Sequence, residues 1–197
     1  MSLEQTSLDK VKALTFDVFG TVVDWRNSIA REAEAALAPK GHALDWLGFA
    51  DAWRGRYQPA MQAVRAGGRP FVKLDVLHRE NLEEVLPEFG VSGLSEEDLD
   101  HLNRAWHRLT PWPDAVAGLT RLKTKYILAT QSNGNIALMV NMAKHASLPW
   151  DVILGAEVCQ AYKPMPEAYQ RAAAFLGLKP EECMMTAAHN DDLKAAA

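Results

Sequence analysis

Four short apolar runs, separated by segments of helical length, restrict the fold of this chain more than any other feature. They span residues 11–16, 126–130, 151–154 and 182–187. Each of the last three follows a segment with helical spacing, namely 113–124, 135–145 and 166–176, and Pro113 is suited to a first helical position. Strands that alternate with helices are typical of parallel βαβ units. We therefore predict an α/β fold with a doubly wound, Rossmann-like parallel sheet.

The stretch after the first run is different, because it shows helical spacing without strand-like alternation. A helix is predicted at 28–38. Three apolar stripes then indicate further helices: Phe49, Trp53 and Tyr57; Leu74, Leu77, Leu82 and Val85; and Leu99, Leu102, Trp106 and Leu109. Ser95, with an acid three residues on, indicates a capping box. We predict a core of residues 1–27 and 111–197, and an inserted helical cap of residues 28–110 that lies over the strand ends and excludes water.

The composition is that of an ordinary globular protein of one domain, or of one domain with a modest insertion. The chain has 197 residues, of which 48% are hydrophobic and 23% charged, and its net charge of -4 is not concentrated in any block. We therefore expect no nucleic-acid and no membrane partner. The start lacks a signal-peptide pattern, and no apolar stretch is long enough for a membrane span, which predicts a cytoplasmic protein. Cys159 and Cys183 are expected to be buried thiols.

Asp17 is the first candidate for chemistry, because an apolar strand delivers its carboxylate into a turn with Gly20 and Thr21. In a doubly wound sheet, ligands bind beyond the carboxyl ends of the strands. Glycine lets the backbone turn tightly and the Thr21 hydroxyl can orient the carboxylate, so the pattern favours a positioned nucleophile. The alternative is a carboxylate that caps a turn. Phe19 stands two residues later, where an enzyme that expels a poor oxygen leaving group would need a second acid.

Further polar segments follow the other predicted strands and are expected to converge on the same crevice. Ser132 and Asn133 can donate hydrogen bonds to a bound anion, either a carboxylate or a phosphate, or they form an ordinary turn. Lys163 precedes Pro164, which favours extended geometry and lets the ammonium point toward Asp17. The alternative for this lysine is a solvated surface position.

The end of the chain adds a second acid and a histidine to the expected crevice. Asp192 can hold the lysine and help to activate water, and Tyr169 can present its hydroxyl to the same space or pack in the core. His189 and Asn190 can line the pocket or simply satisfy the loop. Asp191 is interpreted as an acid that compensates the dipole at a helix N-terminus.

Four ordered motifs together resemble the haloacid dehalogenase superfamily, and within it the L-2-haloacid dehalogenases. They read Asp-Val-Phe-Gly-Thr, Ser-Asn-Gly-Asn, Lys-Pro-x-Pro and Ala-Ala-His-x-x-Asp, and they extend over nearly the whole chain. Phosphatases of this superfamily carry an aspartate two residues after the nucleophile and usually an acidic metal ligand at the start of the fourth motif. This chain has Phe19 and Ala187 at those places. The resemblance therefore implies a halide-releasing hydrolase without metal or cofactor, because halide leaves as a stable anion.

The resemblance implies a two-step reaction on short 2-haloacids. Asp17 would attack C2 with inversion, release halide and carry an ester, which water would then hydrolyse to a 2-hydroxy acid. Lys163 and Asp192 would position the base and the water. Ser132, with help from Lys163, would hold the substrate carboxylate.

Further site residues are assigned from the same resemblance. An arginine of the cap, assisted by Asn133, receives the halide in this family; Arg54 fits that role better than Arg56, and the alternative for either is a solvated cap residue. The remaining residues expected to contact the substrate are Thr21, Asn133, Tyr169 and His189.

The chain departs from the family in the fourth motif and at its end. Residues 188–191 read Ala-His-Asn-Asp where many members have Ser-Asn and an aromatic residue, so pocket polarity and size are expected to differ. The chain ends at residues 194–197, where the family fold would continue, which predicts a truncated chain or an incomplete sheet edge. The alternatives left open are a Mg-dependent phosphatase acting on a small phosphorylated metabolite and an inactive module that binds a carboxylate or a partner. The apolar cap stripes can also serve a homodimer.

Overall fold

A computed structural model describes residues 9–197 of the chain. Within these residues the strands are β1 (Ala13–Phe16), β2 (Val23–Asp24), β3 (Thr110–Pro111), β4 (Ile127–Ser132), β5 (Val152–Gly155) and β6 (Cys183–Thr186). The helices are α1 (Trp25–Leu37), α2 (Trp46–Gly55), α3 (Tyr57–Arg65), α4 (Leu74–Glu88), α5 (Glu96–Asn103), α6 (Ala115–Lys123), α7 (Ile136–Ala146), α8 (Ala156–Cys159), α9 (Pro166–Phe175) and α10 (Asn190–Ala196). The expectation about a signal peptide depends on residues that lie outside this described range.

Four strands form a parallel sheet in the order β5-β4-β1-β6. In its centre, Leu14 of β1 pairs with Leu128 of β4 on one side and with Met184 of β6 on the other. All residues of β1 are buried, as expected for a strand that is covered on both faces. Each of the four apolar runs overlaps one of these strands. The predicted α/β fold with a parallel sheet is therefore confirmed.

The helices between the strands lie close to their predicted positions, with one error at a helix start. Helix α6 begins at Ala115 with Asp114 as its N-cap, so Pro113 lies in the preceding turn and not at the first helical position. The short helix α8 was not predicted, since a single turn leaves no periodic pattern in the sequence. Its last residue, Cys159, is buried as expected, whereas Cys183 is partly exposed, and the expectation of a second buried thiol is wrong.

A short antiparallel ribbon joins the two ends of the helical insertion. Strands β2 and β3 pair through Val23 with Pro111 and through Asp24 with Thr110, so the chain leaves and re-enters at one place. Two-residue strands show no alternation, which is why the sequence did not reveal this ribbon. Asp24 also accepts the backbone N–H of Asn27 at 3.1 Å and caps α1, which begins earlier than predicted for this reason.

The apolar stripes of the insertion are buried, and aromatic side chains from different stripes pack against each other. Trp53 and Trp106 meet edge-to-face with ring centroids 5.4 Å apart. Leu99 alone among the stripe residues is only partly buried. The capping box at Ser95 and Asp98 forms at the start of α5. The division into a core of residues 1–27 and 111–197 and a cap stays a prediction. Within residues 9–197, no helix combines the length and the apolar character needed to cross a membrane.

Candidate active site

Asp17 lies at the carboxyl end of the central strand, in a position fixed by the sheet. Its N–H donates to the carbonyl oxygen of Thr186 at 3.0 Å, which extends the pairing of β1 with β6 by one residue. The chain then turns at Gly20, whose φ of 86° favours glycine. Asp17 is only 7% exposed, and it lines a cavity of about 510 Å³.

Three donors hold the Asp17 carboxylate. Thr21 Oγ1 donates to Oδ2 at 2.8 Å, His189 Nδ1 lies 3.0 Å from the same oxygen, and Lys163 Nζ donates to Oδ1 at 3.0 Å. Burial by itself raises the pKa of Asp17, but the hydrogen bond with His189, the charge of Lys163 and the Thr21 hydroxyl outweigh it and hold the pKa below its usual range. The carboxylate is therefore ionised at neutral pH, as a nucleophile must be.

Lys163 lies between two carboxylates. Its ammonium bridges Asp17 and Asp192, and the hydroxyl of Tyr169 donates to the other oxygen of Asp192 at 2.6 Å. Burial lowers the pKa of Lys163, but the two carboxylates more than offset this and the pKa is raised. Burial and the bond to Asp192 also raise the pKa of Tyr169, which keeps its hydroxyl protonated as a donor. The structure thus brings together all four of these sequence-predicted side chains.

His189 lies against the Asp17 carboxylate, within hydrogen-bond distance of it. Its side chain is 52% exposed, and its ring packs over the turn after β1. A Cβ at Gly20 would lie 3.3 Å from His189 Cε1, so the glycine leaves room for the ring. The hydrogen bond with Asp17 raises the pKa of His189. Asp191 lies in the first turn of α10, where its charge opposes the helix dipole as expected, and Asp192 lies in the same turn.

Ser132 and Asn133 are adjacent in sequence but have different surroundings. Asn133 lines the cavity, and its Oδ1 accepts the backbone N–H of Lys163 at 2.8 Å. Ser132 is fully buried in β4, and its Oγ accepts the N–H of Gly134 at 3.0 Å. It is not part of the cavity lining. Ser132 therefore supports the loop in this structure, and its contact with a substrate stays a prediction.

Arg54 lines the cavity from the side of the insertion, inside a cage of aromatic rings. Its Cζ is 3.7 Å from the ring centroid of Tyr57, 5.4 Å from Trp25, 5.5 Å from Phe19 and 6.0 Å from Trp106. Its Nη1 is buried and has no hydrogen-bond partner in the described part of the chain. Aromatic faces stabilise a cation without occupying its N–H groups, so the guanidinium keeps a donor for a ligand.

Arg56 has a different environment on the outer side of the insertion. It donates to the carbonyl oxygen of Ala52 at 3.1 Å and pairs with Glu88 and, at 3.3 Å, with Glu84. It does not line the cavity. The geometry is therefore consistent with the preference for Arg54 over Arg56.

Tyr57, Gln58 and Arg65 also line the cavity wall, and the sequence does not identify them as site residues. The helical spacing places Tyr57 in an apolar stripe, yet its ring faces the guanidinium of Arg54. Arg65 carried no signal beyond its place in a helix, but its Nη1 donates to the carbonyl oxygen of Lys163 at 3.0 Å. This bond ties helix α3 of the insertion directly to the segment that carries the lysine.

The donor set does not fit a magnesium ion. Mg²⁺ requires several oxygen ligands in octahedral geometry, whereas both oxygens of Asp17 already accept hydrogen bonds from neighbouring side chains. Phe19 occupies the position of a second carboxylate and is 2% exposed. Residues 9–197 contain no cluster of three or more His, Cys, Asp or Glu side chains arranged to hold a metal. The fold and the site define an α/β protein with a buried, ionised carboxylate at the carboxyl end of the central part of a parallel sheet.

Comparison with known proteins identifies the family. A model described as haloacid dehalogenase-like hydrolase matches residues 11–197, and the chain belongs to this family. The (S)-2-haloacid dehalogenase 4A of Burkholderia cepacia is 31% identical over 195 residues, which are 96% of this chain and 80% of that protein. The resemblance drawn from the four motifs is confirmed.

Solved structures agree with the sequence relatives. The crystal structure of the defluorinating L-2-haloacid dehalogenase Rha0230 matches with a TM-score of 0.93 and 53% identity, over 94% of this chain and 77% of that one. The L-2-haloacid dehalogenase from Xanthobacter autotrophicus with chloropropionic acid covalently bound matches with a TM-score of 0.81 and 25% identity, over 94% of this chain and 73% of that one.

Proposed function

We propose that this chain hydrolyses the carbon–halogen bond of short 2-haloacids and releases 2-hydroxy acids through an ester on Asp17. The observation that carries the proposal is the buried, ionised carboxylate of Asp17, which lines the same cavity as the cation of Arg54. Two residues after Asp17 the chain has the buried Phe19 and not a second acid. Relatives named as (S)-2-haloacid dehalogenases support the substrate class, and the covalent chloropropionic acid adduct of one of them supports an ester.

In the first step, an oxygen of Asp17 forms a bond to C2 of the substrate as the carbon–halogen bond breaks. The electron pair of that bond leaves with the halide, so no proton is needed. The low pKa of Asp17 keeps the attacking group ionised over the whole neutral range. Lys163 neutralises part of the charge between the nucleophile and the substrate carboxylate, which would otherwise repel each other.

The halide is received by Arg54, assisted by the amide of Asn133. Charge develops on the halogen only as the carbon–halogen bond breaks, so a fixed donor at that place stabilises the transition state more than the substrate. The unpartnered Nη1 of Arg54 is such a donor, and stacking on Tyr57 fixes its plane. Asn133 is held by its bond to the backbone of Lys163.

In the second step, water attacks the carbonyl carbon of the ester. Asp192 accepts hydrogen bonds from Lys163 and Tyr169, which fix its position beside the ester. The side chain of Asp192 is only 10% exposed, the first step leaves it unalkylated, and we assign it the role of base for this water. Ser132 and Lys163 remain the candidates for the substrate carboxylate, with Thr21, Tyr169 and His189 in contact with the reacting groups.

The two other functions considered for this sequence have less support. A phosphatase would need a metal ligand set and a general acid, and Phe19 and Ala187 occupy those positions. An inactive binding module would not need an ionised carboxylate that is held by three donors at a cavity. A cytoplasmic location and a homodimer stay predictions.

Halide release from both enantiomers of 2-chloropropionate tests the proposal. The wild type should release chloride with and without a chelator. Asp17→Asn should release no chloride until slow deamidation of the new asparagine restores the acid. Asp114→Asn is a matched control, because Asp114 is exposed and its side chain makes no capping bond. After one turnover in heavy-oxygen water, the label should enter the peptide that contains Asp17. Hydrolysis of an aryl phosphate with Mg²⁺, without any halide release, would contradict the proposal.

A further inference from the structure

The two oxygens of the Asp17 carboxylate have different surroundings. Oδ2 accepts from Thr21 Oγ1 at 2.8 Å and faces His189 Nδ1 at 3.0 Å. Among residues 9–197, the one donor to Oδ1 is Lys163 Nζ, at 3.0 Å. A carboxylate offers about two lone-pair positions on each oxygen. Oδ2 is therefore saturated, and Oδ1 retains a lone pair for attack on carbon.

The tautomer of His189 follows from its partner. An ionised carboxylate can only accept hydrogen bonds, so Nδ1 of His189 carries the hydrogen. Thr21 is oriented in a similar way, since its Oγ1 accepts the backbone N–H of Ala188 at 2.9 Å and its own hydrogen points to Asp17. Both side chains therefore aim a donor at Oδ2 before the reaction begins.

We propose that Thr21 and His189 form the oxyanion hole of the second half-reaction. This inference rests on the proposed function, because it requires an ester on Asp17. If Oδ1 attacks the substrate, Oδ2 becomes the carbonyl oxygen of that ester. Water then adds to Cγ, and the electron pair of the C=O double bond moves onto Oδ2, where the two donors already lie.

The step balances without any further reactant. The Cγ–Oδ1 bond breaks, its electron pair leaves with Oδ1, and this alkoxide takes a proton that originates from the attacking water. The second proton of that water passes to solvent through Asp192. Asp17 regains a carboxylate made of Oδ2 and the oxygen of the water, while Oδ1 departs in the 2-hydroxy acid. His189 is thus a catalytic residue of ester hydrolysis, and not a contact that selects the substrate.

The test separates the two half-reactions. Rapid-quench measurement of the first turnover reports halide release, and intact-protein mass spectrometry reports the ester. For His189→Ala with 2-chloropropionate, we expect the first equivalent of chloride to appear at close to the wild-type rate. Hydrolysis of the ester should slow by roughly 100-fold, as for the loss of one oxyanion donor, so that the adduct accumulates.

Two companion variants make the result specific. His189→Asn places an amide nitrogen where Nδ1 lies, so it should restore most of the rate of ester hydrolysis. His101→Ala is the matched control, since His101 is exposed on α5, and it should leave both steps unchanged. Because the side chain of His189 is half exposed, its removal should leave the thermal unfolding temperature near that of the wild type. If His189→Ala fails to fold, Thr21→Val removes the other donor and must show the same accumulation of ester.

Other results would overturn the inference. If His189→Ala slows chloride release as much as turnover, and no adduct accumulates, His189 positions the substrate for the first step. If His189→Asn is as slow as His189→Ala, the N–H donor is not what matters. If the wild type itself releases no halide from any 2-haloacid, the proposed function fails, and this inference fails with it.

Discussion

His78, on α4, allows a quantitative test of the packing that surrounds Arg54. The residue is 1% exposed, and neither ring nitrogen has a hydrogen-bond partner within residues 9–197. Its ring stacks on Trp106 with centroids 4.4 Å apart. The pKa of His78 is lowered to about 3, mainly by burial and next by the charge of Arg54, with a smaller effect from His107. The charge of Asp75 acts in the opposite direction but is outweighed.

This shift makes the fold sensitive to mild acid. In the unfolded chain the pKa of a histidine is about 6.5, so between that value and the folded pKa the unfolded state binds one more proton than the folded state. Stability contributed by the neutral ring is therefore fully present above pH ~6.5 and is lost as the pH falls toward the folded pKa. The slope approaches about 1.4 kcal/mol per pH unit, which gives a loss of about 2 kcal/mol between pH 7 and pH 5.

The variant His78→Phe isolates this contribution, because it keeps an aromatic ring on Trp106 and removes the titration. The free energy of unfolding is measured by urea denaturation at pH 5, 6 and 7, with tryptophan fluorescence as the signal. The wild type should lose about 2 kcal/mol more than the variant over this range. His189 does not mimic the effect, because its raised pKa gives stability that is present below pH ~6.5 and lost as the pH rises through the folded pKa.

The refuting result is a parallel loss of stability in the two proteins. If wild type and His78→Phe lose the same free energy between pH 7 and pH 5, His78 is not an unpartnered, neutral ring in the folded state. His101→Phe serves as the control for replacing an exposed histidine with phenylalanine.

The other predictions concern catalysis. Arg54→Lys should lower kcat/KM for 2-chloropropionate by roughly 100-fold, because an ammonium cannot stack on Tyr57 and present a fixed N–H. For the control Arg56→Lys, kcat/KM should stay within about twofold of the wild-type value, and equal losses in both variants would contradict the assignment of Arg54. Tyr169→Phe removes the donor at 2.6 Å from Asp192 and should slow ester hydrolysis by up to about 100-fold, as measured by single-turnover decay of the adduct, while the first release of halide is retained.

The residues that sequence reasoning placed correctly are those whose position follows from a local pattern and the geometry of the sheet. Asp17, Lys163 and Asp192 each come after an apolar run, and parallel strands carry such positions to one edge. Once these side chains share a buried edge of the sheet, the ammonium of Lys163 pairs with the carboxylates of Asp17 and Asp192. Arg54 was identified through the resemblance, since a single arginine in a helix carries no distinguishing local signal.

The position of Ser132 shows why strand ends limit such predictions. The apolar run predicts a strand that ends at residue 130, but β4 continues to Ser132, which pairs with Gly155 of β5. Side chains alternate between the two faces of a strand, so the precise end decides which neighbour faces the cavity. Two further paired residues bury Ser132 and leave Asn133 at the cavity.

Contacts between distant helices were beyond the reach of the pattern. Tyr57 and Trp106 recur at helical spacing with apolar residues, which indicates burial but not which polar group a ring will face. Their place around Arg54 depends on how α2 and α3 pack on the segment after α5, and on the turn that carries Phe19. Burial was therefore predicted for these rings, whereas the aromatic cage was not.

Phe19 connects the proposed leaving group with Arg54, the cation proposed to receive it. Phosphatases of the superfamily have an aspartate at this position, and here the ring lies 5.5 Å from Arg54 Cζ and edge-on to Trp106 at 5.9 Å. A carboxylate at this place would lie within range of Arg54 and would partly neutralise the guanidinium in a site of low dielectric constant. The phenylalanine adds no negative charge there, and within residues 9–197 Arg54 Nη1 has no hydrogen-bond partner, as the proposed halide site requires. Under the proposed function, this one side chain therefore has two effects: the position holds no acid, which a halide leaving group would not need, and no carboxylate at this position neutralises Arg54.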